Sequence, residues 1–174
     1  MTAILEIHPI WHDISEDSPD QLNNRSVNKN SYITGILGEL AVSEALASLG
    51  IDHTYEDTYD YDFMVEGVKT DVKTTNFISG KINEDHHVML TDYLRNQKCE
   101  AYIFCAINYP ENAVYIMGCC AKSWFWETSA AKDYKKGEYV SVKAIKEDAR
   151  RMKFKHLTSI YDLPLLTKAI KIFN

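Results

Sequence analysis

Tyr61 to Thr75 reads YDFMVEGVKTDVKTT. With Glu66-Gly67 as the two-residue loop of a hairpin, Val65 faces Val68, Met64 faces Lys69, Phe63 faces Thr70 and Asp62 faces Asp71. Side chains alternate along a strand. Phe63, Val65, Val68, Thr70 and Val72 therefore turn to one side as an apolar set, while Asp62, Met64, Lys69, Asp71 and Lys73 turn to the other. A slip of one residue would bury the charges and expose the valines, so the pattern fixes its own register. The expected product is a two-stranded unit with one face made for a core and one face carrying two carboxylates and two lysines.

The surroundings complete an α/β plan. Upstream, Ser31 is placed to cap a helix over Tyr32 to Leu49, with Gly50 as its stop. Ile33, Ile36, Leu37, Leu40, Val42, Leu46 and Leu49 spread over more than one face, which predicts a helix packed on several sides. The first 31 residues include the polar run SEDSPDQLNNRSVNKNS and are expected to be an irregular lead-in to a single domain over 32–174. Downstream, Glu84 to Lys98 is expected to be helical. Ala101 to Ile107 and Ala113 to Gly118 read as buried strands joined at Tyr109-Pro110. Ala121 to Ser129 reads as a short amphipathic helix, Tyr139 to Val142 as an edge strand, and Leu163 to Ile172 as a closing helix. The order of these elements predicts a mixed central sheet flanked by helices.

Composition sets bounds on function. The chain has 174 residues, 45% of them hydrophobic, enough for a core without disulfides or metals, and only 7 Gly and 4 Pro, which excludes a low-complexity chain. No apolar run is long enough for a membrane span, and MTAILEIHPIWHD lacks the basic-then-apolar order of a secretory signal. A cytoplasmic protein with reduced Cys99, Cys105, Cys119 and Cys120 is expected. The formal charge of -6 hides an asymmetry: residues 1–100 hold 7 basic against 18 acidic residues, and residues 101–174 hold 12 against 7. Between Lys132 and Lys155 nine basic residues face four acids. Lys135, Lys136, Arg150 and Arg151 are its candidate phosphate contacts, although a solvated basic face has the same composition.

Two aspartates directly across from one another destabilise a strand pair, and a bound divalent cation is the usual reason to tolerate them. A hard oxygen set of this kind suits Mg²⁺ or Mn²⁺. Lys73, on the same face, is placed to hold an attacking water and to offset charge building on a phosphorane-like transition state. The plain alternative is an exposed strand face with Lys69 and Lys73 as cross-strand partners of the aspartates. Other chemistries lack their parts. His86, His87, Cys99 and Cys105 do not have zinc spacing, and neither a glycine-rich phosphate loop nor Gly-x-Ser-x-Gly is present. Trp124-Phe125-Trp126 reads as a packing anchor rather than a base-stacking platform. His86 or His87 is within the range of residues that touch a scissile phosphate, or else a surface histidine.

Asp62, a short hairpin, then Asp71-Val72-Lys73 resembles the metal-binding signature of the PD-(D/E)XK nuclease superfamily. Upstream, Gly35-Ile36-Leu37-Gly38-Glu39-Leu40-Ala41 resembles the glycine-glutamate start of that superfamily's first core helix. The resemblance implies a restriction endonuclease-like core over residues 33–129, in the order helix, three strands, helix, strand. It also implies a Mg²⁺-dependent nuclease acting on DNA, with Mn²⁺ as a substitute. Asp62, Asp71 and the Val72 carbonyl would hold the metal, Lys73 would position the water, and Glu39 would orient the metal or its waters. A homodimer would follow where both strands of a duplex are cut. Tyr61 stands where the name-giving pattern has proline, so Asp57 and Asp60 remain alternatives for the first aspartate, and periodicity alone leaves Glu44 beside Glu39. The rival readings are a nuclease fold that binds nucleic acid or protein without cutting, and an acidic protein that docks a basic partner through its first half.

Overall fold

A computed structural model describes residues 3–6, 29–56, 58–77, 82–111, 113–140 and 143–173. Helix α1 (Lys29–Ser48) starts three residues before the expected Tyr32, so Ser31 lies inside the helix instead of capping it, and it ends one residue before the expected Leu49. Gly50 has φ of 66° and its N–H donates to the Ala47 carbonyl at 3.1 Å, while Ile51 N–H donates to the Leu46 carbonyl at 2.9 Å. This pair of bonds is the Schellman termination, and glycine occupies the left-handed position without strain. The expected packing on several sides is corrected: Leu37, Gly38, Ala41, Val42, Ala45 and Leu46 form one buried stripe, and Leu40 is 46% exposed. Small residues at 38, 41 and 45 let that stripe lie close to the sheet.

That sheet has six strands in the order β1-β7-β6-β4-β3-β2. They are β1 (Ala3–Glu6), β2 (His53–Tyr55), β3 (Phe63–Val65), β4 (Val68–Phe77), β6 (Ala101–Asn108) and β7 (Ala113–Ala121). β4 and β6 run parallel and the other pairs antiparallel, so the sheet is mixed as expected. β1, paired to β7 with Ala3 opposite Ile116, falls inside the stretch expected to be irregular. Most of that lead-in lies outside the described residues. The β3–β4 hairpin has the expected register, Phe63 to Thr70, Met64 to Lys69 and Val65 to Val68. Glu66 and Gly67 have φ of 50° and 74°, the double left-handed turn that matches strand twist.

The expected helix over Glu84 to Lys98 is replaced by strand β5 (His87–Thr91) and a 3-10 turn (Asp92–Asn96). Val88 and Leu90 are buried while Met89 between them is exposed, a period of two that overrides the helix-favouring composition. β5 pairs with β11 (Ala149–Lys153), which pairs with β8 (Ala131–Tyr134), as a second antiparallel sheet. β9 (Tyr139–Val140) and β10 (Lys143–Ala144) form a small hairpin. Helix α2 (Lys122–Glu127) and helix α3 (Leu163–Phe173) complete the α/β domain.

Every residue of β6 is buried, because both faces of the central sheet are covered. On one face α1 and α3 pack Leu37, Val42, Leu46 and Leu163 on Phe63, Val65, Val72, Ile103 and Ile107. On the other, Tyr102 and Phe104 meet Phe125 and Trp126 of α2 and Val88, Leu90 and Met152 of the second sheet. Trp124-Phe125-Trp126 is thus chiefly a packing anchor. All four cysteines are buried and free of disulfides. Among the described residues no helix is long and apolar enough to cross a membrane.

α1 is pressed against the sheet at Gly38, where a methyl group would collide with Oγ1 of Thr74. Gly38→Ala is expected to destabilise the fold by about 1–3 kcal/mol, because neither the helix nor β4 can retreat without opening the core. Urea denaturation measures it, and a loss within error of zero would show that α1 has room to shift.

Candidate functional site

The hairpin ladder stops one residue short of Asp62. Were it to continue, the Val72 N–H would bond to the Tyr61 carbonyl. That carbonyl is instead taken by the Thr58 N–H at 3.0 Å and the Thr58 hydroxyl at 2.7 Å, which turns the chain away. Asp62 fills the vacated place: its Oδ2 accepts the Val72 N–H at 2.7 Å. N–H and C=O of one extended residue point the same way, so the Val72 carbonyl is directed toward the same side as Asp62. Local chain geometry thus brings Asp62, Asp71 and the Val72 backbone together.

Both carboxylates are nearly closed off, Asp62 at 9% exposure and Asp71 at 3%. Burial, then the charge of Asp71, then that of Glu39, push the Asp62 carboxyl well above the usual range, against the Val72 N–H and Lys73. Asp71 is also raised, by burial, although Lys73, the Gln97 amide and Asp62 all favour its ionised form. Lys73 Nζ lies 2.6 Å from Asp71 Oδ2. One lysine thus stands against two buried acids and a nearby third. A charge set of this kind is short of positive charge, which is what a divalent cation supplies.

Asp60 is engaged elsewhere, its Oδ1 accepting the Lys98 N–H at 3.1 Å, and Asp57 lies outside the described residues. Of the two helix glutamates, Glu39 is the one whose charge acts on Asp62; Glu44 is exposed. Glu39 Oε2 accepts the Tyr55 hydroxyl at 2.8 Å, a partner that sequence reading had not singled out. Gln97 was also missed. It is buried, its Nε2 donates to the Tyr59 carbonyl at 3.2 Å, and its amide favours the ionised form of Asp71. A lone glutamine far along the chain from Asp71 carries no sequence signal.

The hard oxygens of Asp62, Asp71 and the Val72 carbonyl fit Mg²⁺ or Mn²⁺ in chemistry and in charge, with water filling the other positions. Among the described residues no group of three or more His, Cys, Asp and Glu side chains forms a ready-made metal cage.

The basic tract is less uniform than its composition. Arg150 is 6% exposed, with Nε on the Phe125 carbonyl at 2.8 Å, Nη1 on Asp133 at 2.7 Å and Nη2 on the Thr128 carbonyl. It ties β11 to α2 and β8, and the expectation of a phosphate contact there is corrected. Lys135 Nζ is paired with Asp148 at 2.8 Å, and Lys153 and Lys155 share Asp85. Lys136 is exposed, and Arg151 is half-buried with Nη2 donating to His87 Nδ1 at 3.0 Å.

Burial, with the charges of Arg151 and Lys153, pushes His87 down to about 4. The unfolded chain takes up a proton near the ordinary imidazole value of about 6.5, which folded His87 resists. Stability supplied by neutral His87 is therefore full at pH 7 and is lost as pH falls from about 6.5 toward 4. His87→Gln is expected to flatten that part of the acid limb in urea denaturation across this window. An unchanged slope would mean that His87 titrates freely.

Comparison of the chain with known protein families, with curated proteins and with solved structures finds no match.

Proposed function

We propose that the protein is a Mg²⁺-dependent nuclease that hydrolyses phosphodiester bonds within DNA. The observation that carries the reading is the buried Asp62–Asp71 pair, joined through the Val72 N–H and faced by Lys73 at 2.6 Å from Asp71. A solvated strand face, the plain alternative, does not bury two acids or raise them. The order α1, β2, β3, β4 and the parallel β4–β6 pair support a restriction endonuclease-like core. Its second helix is the departure, since β5 and a 3-10 turn stand there.

Bound Mg²⁺ would supply charge for the phosphate oxygens and lower the barrier to in-line attack by water. Asp62 and Asp71 would hold it, with the Val72 carbonyl. Lys73, 23% exposed, orients the attacking water and stabilises negative charge as it builds. Glu39, through its field at Asp62, would help orient the waters of that metal. Lys136 and Arg151 hold the DNA backbone in a salt-dependent way. Cutting both strands of a duplex would need two copies of the chain.

The test is direct: purified protein should nick or degrade DNA with Mg²⁺ or Mn²⁺ and stop with EDTA. Lys73→Ala should lower the rate on the order of 10² to 10³-fold with DNA binding largely kept. A second reading, a module that binds nucleic acid without cutting it, draws on the Tyr55–Glu39 hydrogen bond, which occupies an acid the chemistry would use. Binding to DNA with no cleavage of any form under Mn²⁺ would select it.

A further inference from the structure

Lys73 lines a cleft of about 580 Å³, and the opposite wall comes from β5, the 3-10 turn after it and β11. His87, Tyr93 and Arg151 are on that wall. Arg151 stands opposite Met89 in the β5–β11 register, and its Nη2 reaches His87 Nδ1 at 3.0 Å. A guanidinium only donates, so Nδ1 accepts and the proton of the neutral ring sits on Nε2. Among the described residues most N–H groups of Arg151 therefore remain for another acceptor.

Charge compensation separates Arg151 from its neighbours. Arg150, Lys153 and Lys155 each have a carboxylate at 2.7 to 3.0 Å. Among the described residues none lies within ion-pair distance of Arg151. A half-buried guanidinium on a cleft wall, held by a neutral imidazole, is prepared for an anion, and its fork matches two oxygens of a phosphate. Tyr93, 59% exposed on the same wall, offers a ring face to a base.

We propose that Arg151, oriented by His87, binds a backbone phosphate of the nucleic-acid strand that lies in the cleft beside Lys73. Arg151 is then a substrate-binding residue and His87 a positioning residue. The placement of the scissile bond, though not the phosphate contact, rests on the nuclease reading.

Two measurements on the full chain test this. Binding of fluorescein-labelled single-stranded DNA is followed by anisotropy in EDTA, as a function of salt, and cleavage kinetics are followed in Mg²⁺. Arg151→Gln should weaken binding about 10-fold or more and lower the slope of log K against log salt by about 0.7, the value of one phosphate contact on a single strand. Arg151→Lys should keep the slope and lose part of the affinity, because the charge remains and the fork does not. His87→Ala should raise KM several-fold with kcat little changed, and His87→Gln, whose carbonyl can accept from the guanidinium, should recover KM. A wild-type protein that cuts, beside an Arg151→Gln variant with unchanged affinity, slope and KM, overturns the phosphate site and leaves the nuclease reading standing. A wild-type protein that cuts nothing, beside an Arg151→Gln variant that loses affinity and slope, overturns the nuclease reading and leaves the phosphate site standing.

Discussion

Asp71→Asn leaves a folded protein that no longer cuts DNA: this is the expected result of the substitution with the largest effect on activity. The amide has the shape of the carboxylate, so neither the β4–β6 ladder nor the packing near Tyr102 is disturbed. What disappears is a carboxyl on a residue that is 3% exposed, whose pKa burial raises. A folded carboxyl raised above its unfolded value binds its proton more tightly in the native state. Its ionisation therefore lowers stability as pH climbs above about 4, the unfolded value. At pH 8, without metal, Asp71→Asn should be as stable as the parent or more so by about 1 kcal/mol, offset in part by the lost pairing with Lys73. Mg²⁺ should raise the melting temperature of the parent and not of the variant, because binding to the folded state alone is what stabilises. On the nuclease reading cleavage should fall at least on the order of 10³-fold, since Asp71 would then hold the metal that every step needs. If Asp71→Asn unfolds the chain, the Asp71–Lys73 pair is a structural ion pair; if cleavage survives, the chemistry is elsewhere.

The hairpin was legible because two local signals agreed. Glu66-Gly67 set the loop, and strict alternation set the faces, so Asp62, Asp71 and Lys73 could be placed from fifteen residues of sequence. The second sheet was not legible. β5 finds its partner in β11, with His87 opposite Lys153, and no local pattern encodes a pairing across such a separation. Without that partner Glu84 to Lys98 has the composition of a helix. Arg150 and Arg151 show a subtler loss. Counted together they make a basic tract, but on a strand they point to opposite faces: Arg150 goes inward with Met152, and Arg151 goes to the cleft with His87. Gln97 and Tyr55 had no sequence signal, because each matters only through the carboxylate it acts on, Asp71 and Glu39 respectively.

Val72→Asp should unfold the domain, and the contrast with its neighbour tests the register itself. Val72 belongs to the cluster of Phe63, Val65, Leu46, Ile103 and Ile107 under α1, one residue from a carboxylate that the fold accepts. Nothing among those apolar side chains can pair with a negative charge. A carboxylate placed there would either stay ionised at a cost of several kcal/mol or hold a proton far above its ordinary value, and the packing of the lost methyl groups would go as well. Summed, these exceed or approach the 5–15 kcal/mol that keeps a domain of this size folded. Circular dichroism and urea denaturation of Val72→Asp beside Asp71→Asn give the comparison. The first should lack a cooperative transition, and the second should retain it. A pair of variants with equal stability would mean that the two faces of β4 are not distinguished as apolar and charged. The two buried acids would then lose their reason to be read as a site.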